Sequence, residues 1–354
     1  MNKKILFIFV FLNVAFLKAQ SIDPLISKDQ FEQQKWVDSL MLQMTLDEKI
    51  GQLFMVQAYS NKDEKHKLFI DSLIENYKIG GLIFMQGTPE KQVLLNNEYQ
   101  ATSKIPLLIG FDGEWGLDMR LQNTYRFPWN MTLGAIRDNS LITAFGVQVG
   151  KHCKRMGIHI NFAPVVDINT NPENPIIGNR SFGEDRENVT QKAQAFINGI
   201  QSQNVLANAK HFPGHGDTDT DSHKLLPIIE FDIKRLDSIE LYPYKQLVKG
   251  NLTSIMVAHL SVNALESNTE LPTSLSYNVI TELLKKKLQF NGLILTDALN
   301  MKGASNYAQP GEIDVAAILA GNDILLIPED VPAAVLKIQN ALNEKILTIE
   351  RLEY

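Results

Sequence analysis

The sequence predicts an α/β fold, a (β/α)8 barrel of the TIM type, and three observations support that prediction. Short apolar runs recur eight times along the 354 residues, and segments with helical periodicity separate most of them. The runs are continuous rather than alternating, which is typical of parallel strands buried on both faces. Ionisable residues stand at or just after the ends of five runs, where a parallel barrel carries its functional groups.

The predicted elements alternate along the chain in the order that such a barrel requires. The eight predicted strands are at 52–57, 81–85, 107–112, 159–167, 205–211, 254–259, 293–297 and 323–327. The predicted helices are at 67–77, 140–156, 189–203, 233–249, 276–288 and 332–343. Before the first strand, Thr45 and Glu48 have the spacing of a capping box, which predicts the start of a helix. No repeat or Pro/Gly/Ser-rich linker divides the chain, so one domain is expected over residues 30–354.

The N-terminus has the features of a secretory signal. Two lysines precede an apolar run over residues 5–17, and Ala19 follows it. The run is shorter than the ~20 residues that a membrane-spanning helix needs. We therefore expect residues 1–20 to be a signal peptide removed on export, and the mature protein to be periplasmic or extracellular without a membrane span. An uncleaved anchor is the alternative.

Composition and charge exclude several classes of partner and site. The net charge is −6 and 44% of the residues are hydrophobic, so the protein is globular and has no basic face for a nucleic acid. Cys153 is the only cysteine, which excludes an internal disulfide and a thiolate metal cluster. These features favour a small neutral or mixed-charge substrate.

Five ionisable residues at strand ends predict one shared pocket. Because the carboxyl ends of all eight strands meet at one face of a barrel, side chains from different strands converge there. The alternative for each residue taken alone is a solvated strand end or a helix cap. The five residues are Asp112, Asp167, His211, His259 and Asp297.

The segment 210–227 concentrates polar chemistry in a loop. It reads K-H-F-P-G-H-G-D-T-D-T-D-S-H-K-L-L-P, with two glycines that could let the loop move over the pocket. A metal-dependent hydrolase stays open as an alternative, because the segment offers several zinc or calcium ligands. These are His211, His215, Asp217, Asp219, Asp221 and His223. The glycine and distal glutamate of a calcium-binding loop are missing, however.

Three further stretches indicate a carbohydrate site. Asp112 and Glu114 stand beside Trp115, and an arginine, Arg120, follows on the same stretch. Carboxylates accept hydrogen bonds from hydroxyls, while an indole face suits the apolar face of a sugar ring. Arg180 lies on a glycine-bracketed loop, and an apolar run ends in the carboxylate of Asp297.

These motifs resemble glycoside hydrolase family 3, in its single-domain β-N-acetylglucosaminidase branch. That branch has K-H-F-P-G-H-G followed by D-S-H, and this sequence has the same residues at 210–216 and 221–223. The resemblance extends from Met44 to the last residues. It implies the same barrel and a retaining β-N-acetylhexosaminidase that needs no cofactor or metal. Its implied partner is a carbohydrate containing N-acetylglucosamine, with peptidoglycan fragments, chitin oligomers and glycans as candidate substrates.

The resemblance also implies a role for each motif residue. Asp297 resembles the nucleophile that forms a covalent glycosyl-enzyme, and His223 resembles the general acid/base, oriented by Asp221. Histidine suits the second role because its pKa lies near neutrality. The residues that resemble the family's sugar-binding groups are Asp112, Arg120, Arg180, Lys210 and His211.

The chain departs from the branch pattern in one stretch. Trp115 and Leu117 stand where the branch usually has glycine and arginine, so the shape of the sugar pocket is expected to differ. A β-glucosidase-like hydrolase of the same family and a non-catalytic sugar-binding barrel are therefore alternatives to the hexosaminidase.

Overall fold

A computed structural model describes residues 24–222 and 224–354 of the chain. The predicted signal peptide, at residues 1–20, and His223 lie outside the described residues. Ten strands are present: β1 Phe54–Ala58, β2 Gly81–Phe84, β3 Leu108–Phe111, β4 Ile160–Asn161, β5 Leu206–Phe212, β6 Ile228–Ile229, β7 Ser254–Val257, β8 Ser261–Val262, β9 Leu293–Thr296 and β10 Leu325–Leu326. Eight of them form one parallel sheet in the order β10-β1-β2-β3-β4-β5-β7-β9.

The sheet closes into a barrel between β9 and β10. Leu295 forms a parallel bridge with Ile324, and the amide of Thr296 donates to the carbonyl of Ile324 at 3.1 Å. The amide of Leu326 donates to Oγ1 of Thr296 at 3.0 Å. All eight predicted strands are therefore confirmed, and so is the (β/α)8 barrel.

Helices follow most of the barrel strands. They are α1 Gln30–Gln43, α2 Leu46–Gly51, α3 Glu64–Tyr77, α4 Pro89–Thr102, α5 Asn130–Gly134, α6 Asn139–Arg155, α7 Arg186–Gln201, α8 Ile233–Ser238, α9 Tyr242–Leu247, α10 Lys302–Ser305, α11 Glu312–Ala320, α12 Val331–Asn343 and α13 Ile349–Glu353. Three 3₁₀ turns lie at Leu117–Met119, Gly178–Arg180 and Thr273–Leu275, and a π-helix at Asn278–Lys287. Among the described residues, no helix is long and apolar enough to span a membrane.

Side-chain caps fix several of the helix starts. The predicted capping box is confirmed, since Thr45 Oγ1 accepts from the amide of Glu48 at 3.2 Å and Glu48 Oε2 accepts from the amide of Thr45 at 3.0 Å. Each such bond satisfies an amide that has no partner within the helix. Aspartates cap α3, α6, α7, α8 and α12 in the same way, at positions 63, 138, 185, 232 and 330.

Two predicted elements differ from the structure, and a proline accounts for each difference. The predicted strand 159–167 is regular only over Ile160–Asn161, because Pro164 has no amide hydrogen to give to a ladder. The predicted helix 233–249 is two helices, and Pro243 lies in the first turn of the second, where a proline is tolerated. The helix α4 and the two-stranded sheet of β6 and β8 were not predicted.

Two layers of apolar side chains hold the barrel together. Within a strand, alternate residues point inward and outward, so Met55 and Ile83 belong to the barrel interior while Val56 and Leu82 pack against the helices. The inner cluster fills the barrel beneath its carboxyl-terminal face. That face is consequently the place where polar side chains from the strand ends can meet.

Candidate active site

A cavity of about 320 Å³ opens at the carboxyl ends of the barrel strands. Ile83, Met256 and Leu326 provide apolar side chains to its lining. Six of the predicted site residues line its wall together: Asp112, Arg120, Arg180, Lys210, His211 and Asp297. They come from the ends of β3, β5 and β9 and from the loops after β3 and β4. Of the five strand-end residues expected to share one pocket, Asp112, His211 and Asp297 line this cavity, whereas Asp167 and His259 do not.

Buried ion pairs connect the carboxylates and cations of the wall. Nζ of Lys210 lies 2.9 Å from both Oδ1 of Asp112 and Oε1 of Glu114. Arg120 donates to Oδ2 of Asp112 at 2.6 Å. Arg180 donates from Nε and Nη2 to the two oxygens of Glu114, at 3.0 and 2.8 Å. Each of these charges therefore has an opposite charge in hydrogen-bonding contact, as buried charges require.

These contacts hold the carboxylates in the ionised form. Burial alone would raise the pKa of Glu114, but Arg180 and Lys210 outweigh it and lower that pKa to about 2. The same balance between burial and the charges of Lys210 and Arg120 leaves the pKa of Asp112 well below its usual value. Conversely, Asp112 and Glu114 overcome the burial of Lys210 and raise its pKa.

Neighbouring strand ends position Asp112 and Arg180. Asp112 directly follows β3, and the amide of Gly113 donates to Oδ1 of Asn161 on β4 at 2.8 Å. Arg180 ends the 3₁₀ turn Gly178–Arg180, and its carbonyl accepts from Nδ2 of Asn130 at 2.8 Å. The charged side chains are therefore anchored through the main chain as well as through one another.

Asp167 organises the start of the loop after β5. Its carboxylate accepts from the amides of His211, at 3.2 Å, and His215, at 2.7 Å. The same carboxylate lies 2.7 Å from Nδ1 of His211, whose Nε2 lies 3.3 Å from Nη2 of Arg180. Because an arginine can only donate, Nε2 must accept, and the proton of His211 is on Nδ1, facing Asp167. Asp167 thus fixes the tautomer of His211, which lines the cavity, although Asp167 itself does not line it.

The described part of the loop, residues 213–222, is closely packed. His215 is buried, and its Nδ1 and Nε2 lie 2.6 Å from Oγ1 of Thr218 and 3.1 Å from Oγ of Ser222. A Cβ at Gly214 would lie 2.7 Å from Cβ of Glu240, and one at Gly216 would lie 1.8 Å from the carbonyl oxygen of Ile168. These glycines allow close approach of the loop to the barrel. Movement of the loop over the pocket stays a prediction.

Asp297 follows β9 directly and is held by its backbone. Its amide donates to the carbonyl of Val257 at 2.8 Å, and its Oδ1 accepts from the amide of Ala298 at 2.8 Å. Burial opposes ionisation of Asp297, but His211, His259 and the Ala298 amide favour it, so its pKa lies below the usual value. His259 does not line the cavity; its Nε2 lies 3.0 Å from the carbonyl of Ala298. His259 therefore supports the backbone next to Asp297.

Asp221 lies on the turn at the end of the loop and does not line the cavity. Its carbonyl accepts from the amides of Lys224 and Leu225 at 2.9 and 3.1 Å. Its carboxylate lies 3.8 Å from Nζ of Lys224. The next residue, Ser222, is buried and lines the cavity. Because His223 lies outside the described residues, the pairing of Asp221 with His223 stays a prediction.

For two residues of the site, Glu114 and Asp167, the sequence interpretation gave a place but not the contacts that define their role. Glu114 shares Lys210 with Asp112 and binds Arg180. A signal was available, because residues i and i+2 of an extended segment point to the same face and Glu114 is two residues after Asp112. Asp167 was recognised as a strand-end carboxylate, but its support of His211 depends on a contact between residues 44 positions apart in the sequence.

The alternative of a metal site gains no support from the described part of the loop. Within 24–222 and 224–354, no three His, Cys, Asp or Glu side chains are grouped so that they could hold a metal ion. The ring nitrogens of His215 are instead engaged by Thr218 and Ser222.

Comparison with known proteins gives a consistent picture. The model of the glycosyl hydrolase family 3 N terminal domain matches residues 45–354. Beta-hexosaminidase A of Pseudoalteromonas piscicida is 34% identical over 282 residues, which cover 73% of this chain and 47% of that relative. Beta-hexosaminidase of Glaesserella parasuis is 35% identical over 264 residues, covering 72% of this chain and 75% of that relative.

A solved structure gives the same result for the fold. The structure of a glycoside hydrolase family 3 beta-N-acetylglucosaminidase from Paenibacillus sp. superposes with a TM-score of 0.82 and 36% sequence identity. The match covers 88% of this chain and 60% of that structure. The chain thus spans about half the length of the Pseudoalteromonas relative and somewhat more of the Paenibacillus protein.

Proposed function

The chain belongs to glycosyl hydrolase family 3, and we propose that it is a retaining β-N-acetylhexosaminidase that removes non-reducing terminal β-N-acetylglucosamine from a carbohydrate. One observation carries the proposal. The carboxylate of Asp297 lies at the end of β9 in the same cavity as a set of paired acceptors and donors that suit sugar hydroxyls. The names of the hexosaminidase relatives support the choice of sugar.

The charges of the cavity wall suit a neutral substrate. Two carboxylates of the wall, Asp112 and Asp297, together with the buried Glu114 that pairs with the wall cations, match the three cations Arg120, Arg180 and Lys210. Asp112 and Lys210 present acceptors and donors that are already oriented by their mutual contacts. A sugar whose hydroxyls both donate and accept can therefore bind without bringing a charge of its own.

In the first chemical step, Asp297 attacks the anomeric carbon. Oδ1 is held by the Ala298 amide, so we assign the attack to Oδ2. The bond from the anomeric carbon to the leaving oxygen breaks, its electron pair stays on that oxygen, and His223 supplies the proton. The products are a covalent glycosyl-enzyme on Asp297 and the free leaving group.

The second step reverses the roles. Water attacks the anomeric carbon, its proton passes to His223, and the bond to Asp297 breaks with its electrons returning to the carboxylate. Two inversions restore the β configuration. The histidine ends protonated and the aspartate ionised, as both were at the start.

The protonation states of the described carboxyls favour His223 as the acid. Asp112, Glu114 and Asp167 all have lowered pKa values, so none carries a proton to give at neutral pH. Burial raises the pKa of Glu240 to about 7, but this residue lies behind Gly214 and does not line the cavity. An imidazole with a carboxylate two residues before it, at Asp221, is suited to both proton transfers.

The proposal is tested by trapping the intermediate. A fluorinated slow N-acetylglucosaminide should label Asp297, which mass spectrometry of the digested protein locates. Asp297→Asn should abolish turnover, while its circular dichroism spectrum stays that of the wild type. A label on Asp112 would overturn the assignment. Turnover without any label would point to attack by the 2-acetamido group.

The choice of sugar needs a separate comparison. A panel of aryl β-glycosides should show a much higher kcat/KM for the N-acetylglucosaminide than for the glucoside or xyloside. A preference for the glucoside would replace the hexosaminidase with the β-glucosidase-like alternative.

We also propose that the enzyme is exported, on the evidence of the charged start, the apolar run at 5–17 and Ala19. N-terminal sequencing of the protein from the producing cells should find a start near residue 20 or 21. A start at Met1 would contradict export by signal cleavage.

A further inference from the structure

We propose that Trp115 and Trp129 form a binding surface for the sugar ring of the leaving group, the unit next to the one that is removed. This inference rests on the proposed function and deepens it. It concerns the loop between β3 and α5, in the stretch where Trp115 replaces the glycine usual in the branch that the sequence resembles.

The two indole rings form one aromatic surface. Their centroids are 4.3 Å apart with a 56° angle between the ring planes, and both side chains are only partly buried. The guanidinium of Arg126 lies 4.9 Å from the ring centre of Trp129, and its Nε is 3.8 Å from Oδ2 of Asp118. The surface therefore combines aromatic rings with a cationic donor, Arg126, which lies over the ring of Trp129. Aromatic rings offer apolar area and the guanidinium offers hydrogen-bond donors, and a sugar ring can use both.

The main chain connects this surface with the cavity wall. Trp115 directly follows Glu114, whose carboxylate binds Arg180. Trp129 directly precedes Asn130, which holds the carbonyl of Arg180. The indoles are thus each one residue from a group that fixes Arg180 at the cavity.

One stretch of the chain, residues 112–120, contributes side chains to both the cavity wall and the aromatic surface. Asp112, Met119 and Arg120 line the cavity. Between them, Trp115 and Asp118 take part in the aromatic surface and its ion pair with Arg126. The two features are therefore neighbours on the carboxyl-terminal face of the barrel.

The size of the cavity indicates which part of a substrate reaches this surface. At about 320 Å³ the cavity is at the small end of ligand sites, which run from ~300 to ~1,000 Å³. It suits one sugar unit. An enzyme that removes the terminal unit holds that unit in the cavity. All the remaining rings of an oligosaccharide belong to the leaving group and lie outside the cavity. The partly exposed indoles offer those rings an apolar face.

The test compares two substrates that differ only in the leaving group. Chitobiose releases a sugar ring as its leaving group. Methyl β-N-acetylglucosaminide releases methanol, which is too small to reach the surface. Trp115→Ala and Trp129→Ala should each lower kcat/KM for chitobiose by about 3- to 10-fold, the usual value of one aromatic contact. The same variants should change kcat/KM for the methyl glycoside by less than about twofold, and Trp115→Phe should restore most of the chitobiose activity.

A matched control uses the third tryptophan of the chain. Trp36 is 61% exposed on α1 and lies at an apolar groove beside residues at the amino ends of the strands, such as Leu293 and Leu108. Trp36→Ala should leave both substrates unaffected. Combined with Asp297→Asn, so that chitobiose is not hydrolysed, this variant retains only the tryptophans Trp115 and Trp129. Its fluorescence should change more with chitobiose than with N-acetylglucosamine, even if the other variants fail to fold.

Two outcomes overturn the proposal. Equal losses with chitobiose and the methyl glycoside would mean that the indoles only support Arg180. An identical fluorescence change with chitobiose and N-acetylglucosamine would mean that the second ring does not contact the indoles.

Failure of the proposed function would appear differently, as wild-type enzyme that hydrolyses neither substrate. In that case, binding of chitobiose to Asp297→Asn, weakened by Trp115→Ala, would support the surface, and unweakened or absent binding would reject it.

Discussion

Replacing Glu114 with glutamine should destabilise the barrel, and the structure gives the magnitude. The carboxylate is fully buried and receives three charge-assisted contacts, two from Arg180 and one from Lys210. The fall of its pKa from 4.5 to about 2 corresponds to about 3 kcal/mol of folding stability at neutral pH. That value agrees with the ~3–5 kcal/mol lost when one partner of a buried ion pair is removed. At roughly 2 °C per kcal/mol for a protein of this size, Tm should fall by about 6 °C.

The effect should depend on pH in a defined direction. A lowered pKa stabilises the folded state above the pKa of the unfolded chain, here 4.5, and that stabilisation disappears as the pH falls through about 2. The difference in Tm between the wild type and Glu114→Gln should therefore be full at pH 7 and smaller at pH 3.5. Differential scanning calorimetry at both pH values measures it.

An exposed ion pair provides the control. Glu312 lies 2.8 Å from Nζ of Lys337, a distance like those at Glu114, but both side chains are about half exposed. Glu312→Gln should lower Tm by much less than Glu114→Gln does, because solvent screens an exposed pair. If Glu114→Gln costs no more than this control, or if its effect does not change with pH, the argument that buried pairing holds Glu114 ionised is wrong.

Three further predictions concern the loop, the acid catalyst and the cysteine. His223→Ala should lower the rate ~10²–10⁴-fold for a disaccharide but much less for an activated nitrophenyl glycoside, and a loss independent of leaving-group pKa would remove His223 from the acid role. Gly216→Ala should lower stability by more than ~1 kcal/mol, because the new Cβ would lie 1.8 Å from the carbonyl oxygen of Ile168. Gly250→Ala should cost less, because the nearest atom to its Cβ, Oε1 of the Gln194 side chain, lies 3.2 Å away. Cys153 is buried and burial raises its pKa to about 12, so a thiol reagent at pH 8 should modify it only after denaturation; rapid labelling of native protein would contradict its placement.

The strands of the barrel could be predicted because burial on both faces leaves a continuous apolar run. Gly81–Phe84 and Ser254–Val257 are buried throughout, and the sequence shows each as an uninterrupted run. The helix α4 shows the opposite case. It begins with a proline after the capping Thr88 but buries Gln92, Asn96 and Tyr99, so its inner face does not stand out as apolar.

Asp112, His211 and Asp297 could be predicted from their places at strand ends, but the pairing of the cavity residues could not. Asp112 and Lys210 are 98 positions apart, and their contact depends on how β3 and β5 are spaced around the barrel. No local pattern carries that information. The role of Gly214 could not be predicted either. The side chain of Glu240, on the connection between α8 and α9, leaves no space for a Cβ at Gly214.

The closure of the barrel between β9 and β10 links the synthesis of β10 to the formation of the candidate active site. Asp297 follows β9, and the amides of Leu299 and Asn300 just beyond it donate to the carbonyls of Leu326 and Ile327. During synthesis, the ribosome makes Asp297, the proposed nucleophile, about thirty residues before the segment that fixes its surroundings. A nascent chain that carries Asp297 but not β10 lacks the hydrogen bonds from Leu299 and Asn300 that hold the backbone just beyond Asp297. Hydrolytic activity should therefore arise only once the last strand has emerged and paired with β1, whose Phe54 lies beside Leu325.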